Sequence, residues 1–353
     1  MKALIPSGGA GTRLRPITHT SAKQLVPIAN KPILSYALEA IAAAGIREVG
    51  LVVGDTAEEI EAFVGDGAAW GLRVTYIPQE APLGLAHTVL ISREFLGEDD
   101  FVMYLGDNVL KGGITPLVDA FNEHRPSAQI LLARVHDPQR FGVAELDGER
   151  IIRLVEKPQQ PPSDLALVGV YLFTPAIHEA VRSIKPSGRG ELEITDAIQY
   201  LIDQGNEVRP HLVDGWWKDT GKLEDLLEAN RLIMEDMQEE RSGTADESSR
   251  LVGTVVLQEG ARVENTTIRG PAVIGRGSRV VDSFIGPYTS IGDECTIEDS
   301  EIEHSVIMEG CVVRGMHRLE DSLLGKEVTV ERSDDKPKAY RLMVGDHGRV
   351  GVI

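Results

Sequence analysis

The sequence predicts two architectures in one chain: an α/β domain with a mixed, mostly parallel sheet, followed by a left-handed β-helix. From residue 31 to about 240, apolar runs of strand length alternate with stretches of helical periodicity, which is typical of α/β domains. Beyond residue 250, single aliphatic residues recur every five or six positions, which indicates stacked hexapeptide coils. At 353 residues the chain is long enough for two domains, each with its own core.

The α/β part can be followed element by element. A short apolar run at residues 3–5 predicts the first strand, and helical spacing over residues 32–44 predicts a helix that Gly45 ends. The alternation that follows predicts a Rossmann-like fold. We expect further strands at 48–53, 73–77, 101–105, 129–135, 151–156, 167–173 and 208–213, and further helices at 57–64, 175–183, 194–203 and 223–237.

A change of composition separates this part from the repeats. Residues 238–250 are polar and charged and contain no large apolar residue, so we expect a domain at 1–240, a linker at 241–250 and a second domain at 251–353. A run of antiparallel hairpins is the alternative to the β-helix, but the short period argues against it. The expected inward-facing positions are Val263, Ile268, Ile274, Val280, Ile285, Ile291, Ile297, Ile302, Ile307 and Val312.

Composition excludes several classes of function. The net charge of −19 argues against nucleic acid or an anionic membrane as partner, since both require a basic surface. The two cysteines, Cys295 and Cys311, are too few for a disulfide framework and fit a reducing compartment. The N-terminal apolar run is too short for a signal peptide, and no run approaches the length of a membrane span. We therefore expect a cytoplasmic protein.

A glycine-rich loop follows the first predicted strand. It carries Gly8, Gly9 and Gly11, with Thr12 and Arg13 directly after it and Lys23 ten residues beyond Arg13. Glycine lets the backbone bring its N–H groups against an anion, and the two cations add positive charge. An ordinary turn between strand and helix is the plain alternative. The combination of glycines, arginine and lysine favours a phosphate-binding loop.

Two common phosphate loops do not fit this segment. The Walker A pattern needs a lysine after its last glycine, and the dinucleotide fingerprint needs a small residue where Leu14 stands. Two segments, G-G-A-G-T-R-L at residues 8–14 and K-Q-L-V-P-I at residues 23–28, resemble the sequence motifs of the sugar-nucleotidyltransferases. The resemblance is closest to the glucose-1-phosphate thymidylyltransferases. Residues 340–347 resemble the tail of the long-form members, which are typical of antibiotic-sugar pathways. The resemblance therefore covers essentially the whole chain and implies a role in deoxysugar or secondary-metabolite biosynthesis.

The resemblance implies a set of nucleotide contacts. Gln79 aligns with the glutamine that reads the base, and its amide offers the donor and the acceptor that match the imide edge of thymine or uracil. Gly84 aligns with a position where the backbone touches the base; a plain surface loop is the alternative. The phosphate contacts implied are Gly8, Gly9, Gly11, Thr12, Arg13, Lys23 and Gln24.

Two aspartates follow apolar runs and precede turns. Asp107 follows the apolar run 101–105 after a single glycine, where a strand end at a sheet edge is expected, and Asp219 lies in W-K-D-T-G. From the residues alone, each aspartate could equally cap a turn or hold a cation. The resemblance implies that the pair binds Mg²⁺, which in nucleotide enzymes takes one or two carboxylates plus substrate phosphates.

The segment Glu156-Lys157-Pro158 resembles the family's E-K-P motif. There Glu156 would accept hydrogen bonds from sugar hydroxyls and Lys157 would bind the sugar phosphate, whereas an exposed ion pair is the alternative. At Phe141 this chain departs from the tyrosine of close relatives, which removes one hydroxyl contact. The resemblance completes the sugar-phosphate pocket with Asn108, Gly142, Leu167 and Tyr171.

Together these residues imply an Mg²⁺-assisted in-line displacement with dTTP and α-D-glucose 1-phosphate as substrates and dTDP-glucose and pyrophosphate as products. Arg13, Lys23 and Lys157 are the implied catalytic cations. Three alternatives stay open: UTP as the nucleotide, acetyl transfer by the β-helix with His304 or His317 as base, and a non-catalytic regulatory subunit. A β-helix of this length often packs with copies of itself, so we expect a homo-oligomer.

Overall fold

A nine-stranded mixed sheet organises the first of two units in the computed structural model, which describes residues 1–9, 11–19, 21–148 and 150–332. This unit comprises Met1–Gly11, Ser21–Val26 and Pro32–Thr220. Its strands are β1 (Lys2–Pro6), β2 (Glu48–Val53), β3 (Arg73–Pro78), β4 (Phe101–Tyr104), β5 (Asn108–Leu110), β6 (Ala128–Arg134), β7 (Gly142–Asp147), β8 (Arg150–Glu156), β9 (Leu165–Phe173), β10 (Val208–Leu212) and β11 (Trp217–Asp219).

The strand order is β8-β7-β9-β4-β1-β2-β3, with β6 pairing both β9 and β10, while β5 and β11 form a separate two-stranded ladder. The sheet is mixed, as predicted, but antiparallel pairing around β9 is more extensive than we expected. Every residue of β9 is buried, because the strand lies in the middle of the sheet with both faces covered.

Helices cover this sheet and bury two aliphatic cores against it. Those of the first unit are α1 (Ile33–Ala43), α2 (Ala57–Val64), α3 (Leu85–Ile91), α4 (Arg93–Leu96), α5 (Thr115–His124), α6 (Ile177–Ser183) and α7 (Ile194–Asp203). Single turns of 3-10 helix lie at Thr12–Leu14, Ile17–His19, Lys23–Leu25, Ala68–Trp70 and Pro138–Arg140, and two-residue strands lie at Pro27–Ile28 and Lys31–Pro32. In the described residues, no helix is both long enough and apolar enough to cross a bilayer.

One edge of the sheet gathers the ends of many strands. Strands β1, β2, β3 and β4 are parallel, so their carboxyl ends share an edge. Strand β9 runs the other way, with Val170 opposite Tyr104, and therefore residues before Val170 lie at that same edge. Strand β7 begins there too, because Val143 pairs with Ala166. Ligands bind at this edge in open α/β sheets. Here it is formed by the carboxyl ends of the parallel strands together with the first residues of β9.

Three parallel sheets with stacked repeats form the second unit and match the left-handed β-helix that the repeat predicted. The first contains Glu240–Arg241, Val255–Leu257, Ala272–Ile274, Thr289–Ile291, Val306–Ile307 and Leu323–Leu324. The second contains Thr244–Ala245, Arg262–Glu264, Arg279–Val281, Thr296–Glu298, Val312–Arg314 and Thr329–Glu331. The third contains Arg250–Val252, Thr267–Arg269, Phe284–Ile285, Glu301–Glu303 and Leu319–Glu320.

The predicted aliphatic positions stack on one another from coil to coil. Ile268, Ile285 and Ile302 occupy successive registers and are fully buried. Val312 is the exception, because its neighbour Val313 fills the inward position opposite Ile297 while Val312 is half-buried. Because Val312 and Val313 are adjacent valines, the sequence pattern could not show which of them faces the core of the β-helix.

The domain boundary differs from the one we expected. Residues 241–250 are not a linker, since Glu240–Arg241, Thr244–Ala245 and Arg250–Val252 pair in parallel with the next coil. This coil is polar because its side chains face solvent while its backbone supplies the hydrogen bonds.

Helix α8 (Leu223–Glu235) also belongs to the second unit, where Met234 packs with Val256 and Val273. The first unit therefore ends at Thr220 rather than near residue 240. Residues 12–20 and 27–31 join the second unit as well, and the tail motif at 340–347 lies outside the described residues.

Candidate active site

The glycine loop leaves the carboxyl end of β1 and is held by two neighbours. The Ser7 backbone N–H donates to the carbonyl oxygen of Val52 in β2 at 2.8 Å. Gln24 is buried, and its Nε2 donates to the Ser7 carbonyl oxygen at 2.9 Å. A methyl group on Gly8 would lie 3.2 Å from Gln79 Oε1, so the Gln79 side chain flanks the loop. The buried Gln24 amide thus holds the loop in place, and the half-buried Gln79 amide lies beside it.

Lys23 and Asp107 form a charged pair beside the loop. The Lys23 ammonium donates to Asp107 Oδ2, and each side chain is only 14% exposed. Lys23 Nζ lies 3.6 Å from the place that a methyl group on Gly9 would occupy. Burial by itself would raise the pKa of Asp107, but the charge and hydrogen bond of Lys23, with the hydrogen bond from Asn108, outweigh burial and lower that pKa. The carboxylate is therefore ionised at neutral pH and sits beside a fixed cation.

Asn108 orients the other oxygen of this carboxylate. Its Nδ2 donates to Asp107 Oδ1 at 2.9 Å, and its own Oδ1 accepts from Trp217 Nε1 at 2.5 Å. The Phe141 ring packs edge-on against Trp217, with the ring centroids 5.3 Å apart and the planes at 68°. The indole thus fixes the amide, and the amide fixes the carboxylate.

The second aspartate comes close through the ladder of β5 and β11. Asp219 is the register partner of Asn108, the residue next to Asp107. The following residue, Thr220, donates to the Asp107 carbonyl oxygen through Oγ1 at 2.7 Å and through its backbone N–H at 3.1 Å. The described residues contain no group of three or more histidine, cysteine or acidic side chains poised to enclose a metal. Two neighbouring carboxylates can hold a divalent cation only if other ligands complete its coordination.

Glu156 anchors a second cluster at the same sheet edge. It ends β8 opposite Gly142, and Thr195 Oγ1 donates to its Oε2 at 3.1 Å. Its Oε1 lies 3.4 Å from Lys157 Nζ and accepts from Arg189 Nη2 at 3.1 Å. Lys157 itself is 44% exposed. The cluster therefore presents an accessible ammonium next to a carboxylate that is held on both oxygens.

Leu167 and Tyr171 line the inner side of this cluster. A methyl group on Gly142 would lie 3.6 Å from Leu167 Cδ2 and 3.2 Å from Glu156 Oε2. Burial, and then the nearby charge of Glu156, raise the pKa of the Tyr171 phenol, so that it stays protonated. A groove of about 740 Å³ opens beside Glu156, with Lys157 and Arg189 among its lining residues, whereas Leu167 and Tyr171 do not line it. This combination of a cation, a carboxylate and an open groove suits a phosphorylated, hydroxyl-bearing ligand.

A family model described as Nucleotidyl transferase matches residues 2–236 of the chain. The chain belongs to the nucleotidyl transferase family. A relative from Streptomyces griseus named glucose-1-phosphate thymidylyltransferase is 58% identical over 353 residues, which cover 100% of this chain and 99% of the relative. Because that match spans the whole chain, the C-terminal extension of this nucleotidyl transferase fits the long form of its family.

Two solved structures each resemble about two thirds of this nucleotidyl transferase. A Bacillus anthracis protein in complex with a sucrose superposes with a TM-score of 0.64 at 34% identity, covering 68% of this chain and 98% of that one. A UDP-glucose pyrophosphorylase in complex with UDP-glucose superposes with a TM-score of 0.61 at 25% identity, covering 67% of this chain and 99% of that one. Both match the mixed-sheet fold of the first unit.

Most of the predicted site residues of this nucleotidyl transferase lie in the first unit. Gly84 has a φ of 102°, and a methyl group there would overlap the Leu192 carbonyl oxygen, so glycine is required where these two backbones cross. Thr12 and Arg13 are exposed in the turn Thr12–Leu14, which belongs to the second unit, and their roles stay predictions from the sequence. The first unit holds Gly8, Gly9, Gly11, Lys23, Gln24, Gln79, Gly84, Asp107, Asn108, Gly142, Glu156, Lys157, Leu167, Tyr171 and Asp219.

Four side chains of the site were not among our predictions. Trp217 lies in W-K-D-T-G, the stretch that carries Asp219, and Arg189 lies in R-G-E-L-E-I-T-D at residues 189–196, yet neither was assigned a place in the site. Thr195 lies in the second of these stretches and reaches Glu156 only through the packing of α7 against β8. His87, a hydrogen-bond partner of Gln79, had no signal in the sequence.

Proposed function

We propose that this nucleotidyl transferase is a glucose-1-phosphate thymidylyltransferase, which converts dTTP and α-D-glucose 1-phosphate into dTDP-glucose and pyrophosphate. The observation that carries the proposal is the 58% identity along the entire chain to a relative of that name. The geometry of the first unit supports it, since a glycine loop, a lysine–aspartate pair and a glutamate–lysine cluster lie at one sheet edge. The net charge of −19 is compatible with anionic substrates because the lysines and the arginine of the site provide positive charge where the phosphates would bind.

The attacking group requires little activation by the protein. A phosphate monoester has a second pKa of about 6, so the sugar phosphate already carries its nucleophilic oxygen ionised at neutral pH. Lys157 would bind that phosphate while Glu156, held by Thr195, accepts from sugar hydroxyls. Catalysis then consists of bringing two anions together and neutralising the charge that develops on the departing pyrophosphate.

Lys23 would supply charge at the reaction centre. Its ammonium lies between the glycine loop and Asp107, where the phosphates of a nucleotide on the loop are expected. Arg13 would contact the triphosphate, as the resemblance of the loop implies. Gln79, which flanks Gly8, would read the imide edge of the base.

Asp107 and Asp219 fit Mg²⁺ as a cofactor. Asp107 is ionised and already accepts a cation, the Lys23 ammonium, on one oxygen, and Asp219 lies opposite the adjacent residue. With two carboxylates and no closed cage among the described residues, the remaining ligands would come from substrate phosphates and water. When bound, the ion would neutralise charge on the α-phosphate. Asn108 and Trp217 would keep the Asp107 carboxylate oriented for this task.

Pyrophosphate release with glucose 1-phosphate and each of dTTP, UTP, CTP, GTP and ATP tests the proposal. We expect the highest kcat/KM with dTTP. Higher turnover with UTP would assign the uridylyl alternative, which the likeness to a UDP-glucose pyrophosphorylase keeps in view. No release with any nucleotide would favour a non-catalytic subunit. Lys23→Ala should lower kcat by roughly 10²- to 10³-fold, whereas Lys185→Ala, at an exposed lysine of the same unit, should leave it unchanged.

The β-helix would serve assembly rather than a second reaction. His304, one of the two candidate bases for acetyl transfer, pairs its Nδ1 with Asp321 Oδ1 at 2.5 Å and packs edge-on against Tyr288. These contacts join successive coils, which is a structural use of the imidazole. A symmetric homo-oligomer through the β-helix is part of the proposal, and light scattering of the full chain tests it.

A further inference from the structure

The amide of Gln79 has a defined orientation in the first unit. Its Nε2 lies 3.0 Å from His87 Nδ1, and its Oε1 faces Gly8 in the glycine loop. Gln79 follows the end of β3, whereas His87 is on α3, so the contact joins a strand end to a helix. Both side chains are half-buried, which leaves part of the amide open to a ligand.

The two ends of a carboxamide differ in what they can meet. The NH₂ end only donates and the oxygen only accepts, and exchanging them takes a rotation of 180° about the last side-chain bond. Because the NH₂ end of Gln79 faces His87 Nδ1, this contact is a hydrogen bond only in the tautomer that carries its proton on Nε2 and a lone pair on Nδ1. In that tautomer Nδ1 can meet only the NH₂ end. His87 therefore selects one of the two orientations of Gln79 and leaves the oxygen and one N–H for other partners.

This orientation has a consequence for the base that Gln79 can recognise. Thymine presents an N3–H donor beside an O4 acceptor, which match the amide oxygen and the remaining N–H. Cytosine presents the opposite order at the same positions, an N3 acceptor beside an amino donor, and would require the amide to be rotated. The sugar and phosphates fix the position of the base. The orientation of the Gln79 amide therefore decides whether thymine or cytosine can form both hydrogen bonds with it.

We propose that His87 is a specificity-determining positioning residue, which holds the Gln79 amide in the orientation that accepts an imide-bearing pyrimidine and rejects cytosine. This inference rests on the proposed function, because it takes Gln79 to be the residue that reads the base. His87 acts through Gln79 and has no predicted contact with the substrates. It is expected to separate thymine from cytosine but not thymine from uracil, since those two share the same imide edge.

The experiment compares dTTP, dUTP and dCTP in wild type and His87 variants of the full chain. The kcat/KM for dTTP and dUTP is measured by pyrophosphate release, and the Ki of dCTP is measured by its competition with dTTP. His87→Ala should lower the ratio of dCTP Ki to dTTP KM by about tenfold, the usual scale for one hydrogen bond that orients a polar group. The ratio of dTTP to dUTP should not change.

Further variants separate orientation from packing. His87→Glu offers only acceptor oxygens to the Gln79 amide and should restore most of the dCTP discrimination. His87→Lys offers only donors, so it should turn the amide around and favour dCTP further than His87→Ala does. Leu90→Ala is the matched control, because Leu90 is half-buried on the same helix and packs against the apolar core. It should lower thermal stability while leaving the ratio as in wild type.

The outcomes divide cleanly. If wild type releases pyrophosphate with dTTP and His87→Ala and His87→Lys keep the wild-type ratio, the inference is wrong and the proposed function stands. An equal fall for all nucleotides, or the same fall in Leu90→Ala, also contradicts it, since packing alone would then explain the loss. If wild type shows no turnover with any nucleotide, the proposed function fails and the inference fails with it.

Discussion

Single residues contribute charge whose strength depends on how much water surrounds it. Lys23 and Asp107 are each 14% exposed, so their attraction is screened much less than that of a surface pair. Lys157 and Glu156 are 44% and 21% exposed, with 3.4 Å between the Lys157 Nζ and Glu156 Oε1 atoms. The Lys23–Asp107 pair therefore keeps both side chains in place, whereas the Lys157–Glu156 pair leaves the Lys157 ammonium available to a ligand.

Replacing Lys23 by methionine should therefore affect stability as well as turnover. Lys23→Met leaves the enclosed Asp107 carboxylate without its cation, at a cost on the order of 3 kcal/mol in the free energy of unfolding near pH 7. Lys157→Met is the matched control and should cost less than about 1 kcal/mol, because the Lys157 ammonium is accessible to water and Glu156 keeps Arg189 as a second cation. Thermal unfolding of the two variants measures both effects.

The same pair predicts a dependence on pH with a definite sign. The folded protein lowers the pKa of Asp107, so this carboxylate stabilises the fold above its unfolded pKa of about 3.9, and the contribution disappears as pH falls through the folded value. Lys23→Met removes this contribution. The difference in Tm between wild type and Lys23→Met should therefore narrow as pH is lowered from 7 to 3. A difference independent of pH would show that the pair does not lower the pKa of Asp107.

Elements position these residues through register. Strand β9 runs antiparallel to β4 and brings Leu167 to the edge where the glycine loop ends, and the ladder of β5 and β11 sets Asp219 opposite Asn108. Both arrangements join stretches far apart in sequence. A slip of one residue in either ladder would turn the relevant side chains to the opposite face.

The β-helix offers a matched pair of valines to test its inward register. Val313 is fully buried and stacks between Ile297 and Val330, whereas Val312 is half-buried. Val313→Ala should lower the free energy of unfolding by about 2 kcal/mol, from lost apolar burial and the cavity left behind. Val312→Ala should cost less than about 1 kcal/mol. Equal costs in chemical denaturation would contradict the register.

At the scale of the whole molecule, the chain divides its charged chemistry and its repeats between two units. The first unit carries both aspartates of the proposed metal site, and the second is a stack whose core is aliphatic. Neither unit contains, within the described residues, a cluster of ligands able to enclose a metal. We therefore expect Mg²⁺ to serve the reaction and not the fold.

Removing the metal should separate these two properties. Chelation with EDTA should abolish pyrophosphate release, and added Mg²⁺ should restore it. The Tm of the protein without substrates should not change on chelation, because a structural metal needs a closed set of protein ligands. A fall in Tm on chelation would mean that a metal holds the fold, contrary to this expectation.

The sequence by itself determined the two architectures, the bounds of the predicted strands and helices of the α/β part to within two residues, and the stretches that carry the proposed site. Helical spacing of apolar residues marked α2 and α7 at their observed bounds, and a continuous apolar run marked β2. The glycine loop, Asp107 and the E-K-P segment were visible as local patterns. Such features are local in the chain, and local patterns are what a sequence displays.

Only the tertiary structure decided the partners. The contacts of His87 with Gln79, Trp217 with Asn108 and Thr195 with Glu156 join different elements, and one of them spans more than a hundred residues. The first coil of the β-helix also depended on tertiary structure, because its polar strands are held by backbone hydrogen bonds from the next coil. Local side-chain patterns predict the elements and the class of fold, but which residue of one element meets which residue of another depends on the packing of the whole chain.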